Sequence, residues 1–142
     1  MTFGAKADGV TDDSEALQRA IASHDEVFLP HGKYLIARTV TLGPKTSLFG
    51  EAYSVLMAAS SNPSFTRNVS GPAEPTPMLT MPVGANVQLV DLTLMSDGEV
   101  PGCLLVDWKG GPQSGMWDVM YRTLTTALPY RWCLYPVALA ES

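Results

Sequence analysis

The sequence predicts an all-β chain wound as a coiled stack of short parallel strands, with one helix near its N-terminus. Three observations carry this. After about residue 26 the chain breaks into short runs of β-branched, aromatic and aliphatic residues, each closed by Gly, Pro, Asn or Asp. No helical pattern separates the runs, and few of their turns are Asn-Gly or Asp-Gly pairs, so neither βαβ units nor tight-hairpin meanders fit. Phe28 and Leu48 stand 20 positions apart between similar neighbours, which suits adjacent rungs of a coil.

The helix comes first. Ala16, Leu17, Ala20 and Ile21 repeat an apolar pair one turn apart, which predicts about three turns over residues 11–22. Asp12 followed by Glu15 forms a capping-box pattern, with either Thr11 or Asp12 as the cap. Rungs begin at residue 27. The expected strands are 27–29, 34–36, 40–42, 47–49 and 55–57, then 78–81, 87–90, 92–94, 103–108 and 116–121. Between the two groups, residues 58–77 hold several prolines among Ser, Asn and Thr and show no apolar periodicity, the pattern of a long surface loop. Asn68-Val69-Ser70 within it is an N-glycosylation acceptor pattern.

Composition narrows the partners. Nine Lys and Arg against 14 Asp and Glu give a net charge of −5 with no basic run, which argues against nucleic acid. No run approaches the roughly 18 consecutive apolar residues of a membrane span, and the first residues lack the order of a secretory signal. Two cysteines, Cys103 and Cys133, are too few for a disulfide framework and lack zinc-site spacing, leaving a pair or buried thiols open.

The run Phe3-Gly4-Ala5-Lys6-Ala7-Asp8-Gly9-Val10-Thr11-Asp12-Asp13-Ser14-Glu15-Ala16-Leu17-Gln18 resembles the opening of the pectate-lyase-like parallel β-helix superfamily. Residues 27–36 resemble the first rung that follows it there. Later stretches, Gly50 to Met57, Val90 to Leu94, Pro101 to Trp108 and Gly115-Met116-Trp117-Asp118-Val119-Met120-Tyr121-Arg122, are similar to the second β-helix module of family 55 glycoside hydrolases. The resemblance implies a right-handed, single-stranded parallel β-helix with an N-terminal capping helix over residues 1–122, incomplete at its C-terminal end, followed by a tail, 123–142, that departs from the pattern. Asp107 and Lys109 also depart from it around Trp108.

Its implied function is exo-β-1,3-glucanase chemistry, in which one carboxylic acid protonates the leaving oxygen and a second carboxylate activates water, without metal or organic cofactor. This chain is then expected to be a fragment of a secreted enzyme, carrying part of the glucan groove and inactive alone, with a missing upstream β-helix module as partner. A non-catalytic carbohydrate-binding or structural β-helix, of tailspike or adhesin type, and a pectin-active enzyme on the same fold are the alternatives. The last would need a cationic groove or calcium for its polyanionic substrate.

Individual residues sort against this background. Asp8, Asp12 and Asp13 are better explained by turn and capping chemistry than by a metal. His24 and His31 lack triad or zinc partners at suitable spacing. Glu51, Asp107 and Asp118 are the carboxylates in strand-like segments, but no catalytic pair can be assigned, and the general acid is expected beyond Arg122. Trp117, Asp118 and Arg122 are the expected sugar contacts, an indole for a pyranose face with hydrogen-bonding groups at its rim, and Trp108 and Tyr121 are weaker candidates.

Overall fold

The structure, a computed structural model, describes residues 3–68 and 73–122. The tail 123–142, Cys133 with any pairing to Cys103, and Val69 and Ser70 of the glycosylation pattern lie outside these residues. The elements in order are β1 (Asp8–Asp12), α1 (Ser14–Ser23), β2 (Glu26–Leu29), β3 (Lys33–Ile36), β4 (Val40–Thr41), β5 (Ser47–Ala58), α2 (Pro63–Thr66), β6 (Thr76–Thr80), β7 (Gln88–Ser96), β8 (Cys103–Asp107), β9 (Gly115–Trp117) and β10 (Met120–Arg122).

Among the described residues every strand pair is parallel, and the pairings trace a coil with three faces. On the first, β2 pairs with the start of β5, the start of β5 with the start of β7, and that with β9. On the second, β3, the end of β5, the end of β7 and β10 lie in line, with β1 on the outer side of β3. The third holds β4, β6 and β8. Neighbours on each face are one turn of chain apart, and strands stack about 4.8 Å apart along the coil.

Stacked columns build the core. Val27, Leu48 and Leu89 align on the first face, Tyr34, Leu56 and Leu94 on the second, and Val40 and Leu79 on the third, all buried. The inter-rung step differs from the one expected. Phe28 stands opposite Phe49, not Leu48, so the step is 21 residues. A slip of one would turn Phe28 inward and Leu48 out, and the pleat forbids this because Val27 and Leu29 already fill the inner positions.

The short corner between the first and second faces bends the long strands. It is made by residues at positive φ: Ala52 and Tyr53 in β5, Asp91 in β7, and Asp118 between β9 and β10. Asp tolerates this region better than most residues. Residues 116–121, expected as one strand, are therefore two.

The helix starts later than expected. Asp13, not Thr11 or Asp12, occupies the N-cap position and makes no side-chain cap bond. Its buried carboxylate instead accepts from the backbone of Lys6 (2.7 Å) and Ala7 (2.9 Å). Asp12 accepts from the Ser14 amide, and Glu15 pairs with Arg19 and Arg38, so no reciprocal box forms. The helix buries Ala16, Leu17, Ala20 and Ile21 and packs on β2, β3 and β4. Its polar groups meet strand edges. The Gln18 amide donates to the Thr41 carbonyl (2.9 Å) and accepts from the Thr41 amide (2.8 Å), as a neighbouring strand would.

The excursion after β5 is not featureless. Asn62 caps α2 by accepting from the Ser64 amide (2.8 Å), Pro63 opens the turn, and Phe65 is fully buried against β8. Four residues are too few for a periodic signal, yet burying Phe65 contributes roughly 1.5–3 kcal/mol.

Candidate functional site

The expected sugar contacts lie where the last described rung turns its corner. Gly115 and Trp117 point to the same side of β9. A Cβ on Gly115 would come within 2.4 Å of the indole, so the missing side chain is what lets the ring lie back along the strand. Trp117 remains 49% exposed. Asp118 follows at φ +52°, its side chain exposed. Arg122 is exposed on β10, in the row of Met95. Trp117 and Asp118 are thus adjacent, whereas Arg122 projects from the adjoining face across the corner.

Two weaker candidates have structural partners. Tyr121 stands in the inward column of Leu56 and Leu94, and its hydroxyl contacts the Met116 sulfur at 2.7 Å. Burial raises its pKa above the usual tyrosine range. Its register with Leu94 places it in that column, and the residue remains 39% exposed. Trp108 is half-buried against the core next to Gly110.

The coil puts Asp107 on a different face from Glu51 and Asp118. Glu51, at the corner of the second rung, accepts from the His31 amide at 3.0 Å. Asp107, on the third face, accepts from the Thr80 hydroxyl at 3.0 Å and pairs with Lys109. Asp118 shares the short corner with Glu51 and with Asp91, which was not singled out in the sequence. Its signal is position: each of Asp91 and Asp118 directly follows the last outward residue of a first-face strand, Val90 or Trp117.

The N-terminal acidic residues are each engaged locally. Asp8 accepts from the amides of Val10 (2.9 Å) and Thr11 (2.7 Å) and from the Thr11 hydroxyl (2.8 Å). These bonds hold its pKa down at about 2. For Asp12, burial pushes upward but is outweighed by bonds from Ser14 and Ala37 and by Arg38, so its pKa also falls below the usual value. Among the described residues no group of three or more His, Cys, Asp or Glu is gathered as metal ligands.

Sequence reasoning also missed two larger features. One is an outward row on the first face, Phe28, Phe49, Val90 and Trp117, aligned residue by residue over four rungs. The other is a cavity of about 410 Å³ between α1, the N-terminal segment and β2, lined among others by Phe3, Leu17, His24, Glu26, Phe28 and Tyr34. Phe3 and His24 meet edge to face across it, ring centres 5.6 Å apart. The row was hidden by the one-residue register error, and the cavity is formed by segments too far apart in sequence to suggest it.

Residues 1–78 match the family described as rhamnogalacturonase A/epimerase, pectate lyase-like. A probable glucan endo-1,3-beta-glucosidase of Arthroderma benhamiae is 37% identical over 131 residues, covering 84% of this chain and 14% of that protein. A glucan 1,3-beta-glucosidase of Cochliobolus carbonum is 30% identical over 128 residues, covering 84% of this chain and 16% of that one. The preneck appendage protein of Bacillus phage PZA is 45% identical over 49 residues, 34% of this chain and 6% of its own length. The chain therefore spans 14% and 16% of the length of the two glucosidases it matches.

Proposed function

The chain belongs to the rhamnogalacturonase A/epimerase, pectate lyase-like family, and from this we propose that it forms part of a secreted glycoside hydrolase acting on β-1,3-glucan. In this reading it is the start of a right-handed β-helix. Helix α1 caps the first rung, and an upstream β-helix module of the parent chain packs beside it. Trp117 offers an indole face to a pyranose while Asp118 and Arg122 reach the rim from the two sides of the corner. The carrying observation is the 37% identity over 131 residues to a protein named for β-1,3-glucan cleavage.

Hydrolysis of a glucan by this route needs an acid and a base across the scissile bond, at about 6.5–9.5 Å for inversion. Asp107 is committed to Lys109 and Thr80, and Glu51 to the His31 backbone, so neither is offered as that pair. The general acid is assigned to the part of the parent protein beyond Arg122, so the purified chain is expected to bind laminarin and to release no glucose from it. Measurable release overturns the inactivity, and absence of laminarin binding overturns the groove.

A second reading, a structural β-helix of a phage or surface appendage, is favoured by the 45% identity over 49 residues to the phage protein. Laminarin retained without turnover even by the full-length parent would favour this non-catalytic reading. A pectin-active reading has less support, because the nine Lys and Arg are scattered singly along the chain with no basic run.

A further inference from the structure

The first face presents two aligned outward rows. One is apolar: Phe28, Phe49, Val90 and Trp117, with Phe28 60% and Trp117 49% exposed and the middle two partly covered. The other, two residues earlier on each strand, runs Glu26, Ser47, Gln88 and Gly115. An apolar stripe beside a hydrogen-bonding stripe matches a polyol chain, whose rings have apolar faces and hydroxylated edges. The eight positions include one anion and no cation, which fits a neutral glycan and repels a polyanionic one. Three inter-rung steps give the rows a length of about 14 Å, room for an oligosaccharide. At the N-terminal end, Glu26 and Phe28 also line the cavity beside α1, so the rows run into a recess.

We propose that this double row is a binding track for a neutral glucan chain laid along the coil axis. Ring faces rest on Phe28, Phe49 and Trp117, and hydroxyls bond to Glu26, Ser47 and Gln88. The track rests on the glucan reading and extends it from the Trp117 corner back to the first rung.

The test is calorimetric titration of the full 142-residue chain with laminarihexaose and laminaribiose. Circular dichroism and thermal melts verify that each variant is folded. Phe28→Ala and Trp117→Ala are each expected to weaken hexaose binding about three- to tenfold, and the double variant more than either. Val83→Ser, at an exposed apolar residue off the track, is expected to change nothing. Laminaribiose, too short to span the rows, binds more weakly than the hexaose. If Trp117→Ala loses binding while Phe28→Ala matches the unaltered chain, the corner site stands and the track is overturned. If the unaltered chain binds no laminarihexaose, both fall. Light scattering supplies the remaining outcome: a dimer that Phe28→Asp splits makes this face a protein interface and overturns the track.

Discussion

At the scale of single residues, close approach and local hydrogen bonding decide what the corners and turns accept. Gly50 has an ordinary φ, yet a Cβ there would lie 2.2 Å from the Asp91 carbonyl oxygen and 2.8 Å from Leu92. Neither neighbour is free to retreat, since one is backbone and the other is fully buried. Gly50→Ala is therefore expected to cost about 1–3 kcal/mol by overpacking, read as a lower urea midpoint with unchanged slope. Asp8 gives a pH signature. Its folded pKa, about 2, lies below the unfolded value, so its bonds stabilise the fold above the unfolded value. That contribution is lost as pH falls from about 4 toward 2. Asp8→Asn keeps an acceptor without the charge, and a flatter acid-unfolding curve over that window is the expected result. An unchanged curve would assign acid sensitivity elsewhere, Asp12 being the next group to examine.

At the scale of elements, the terminal rung must dispose of strand edges, and the chain does so in two different ways. Strand β1 pairs with β3, while the Gln18 side chain stands in for a strand against β4. Gln18→Ala leaves both Thr41 backbone groups to water and is expected to cost about 0.5–1.5 kcal/mol, with faster hydrogen exchange at the Thr41 amide. Gln18→Glu keeps the acceptor for the amide but loses the donor to the carbonyl, and should fall between. If exchange at Thr41 is unaltered in both, the bonds contribute nothing to holding the edge. Elements were unequally legible in sequence for related reasons. The runs around Leu48, Leu56, Leu89 and Leu94 announced themselves because each fills a buried column. Strand β1 did not do so by pattern, since Asp8–Asp12 is polar and largely exposed and is a strand only by pairing with β3; a first strand within residues 3–18 was implied only by the family resemblance. Register was beyond local reading: Phe28 and Leu48 both sit in short apolar runs, and only the pleat of the neighbouring strand tells outward from inward.

At the scale of the whole molecule, the parallel coil turns a one-dimensional sequence into stacked rows, and function is read along those rows. Trp117 and Asp118 were legible through the resemblance of residues 115–122, although the run 116–121 reads as one strand and hides the corner they form. The partnership of Trp117 with Phe28, 89 positions earlier, was not, because it exists only through three successive registers. Charge, by contrast, needs no fold to be read, and it makes a prediction about the entire surface. The chain carries −5 overall, and Arg19, Arg38 and Lys109 each lie within ion-pair distance of a carboxylate. A neutral glucan held by ring stacking and hydroxyl bonds gains nothing from long-range attraction, so its affinity should be indifferent to screening. A polyanionic polygalacturonate would be repelled at low salt, and any affinity it showed would require local cationic contacts that salt weakens. Titrations with laminarin and with polygalacturonate between about 0.05 and 0.5 M NaCl separate the cases. The expected outcome is a laminarin dissociation constant that changes less than about twofold across the range, with no polygalacturonate binding at either end. Salt-sensitive polygalacturonate binding would transfer the substrate assignment to the pectin-active branch of the family, and would point to Arg122 and its neighbours as the cationic contacts to substitute next.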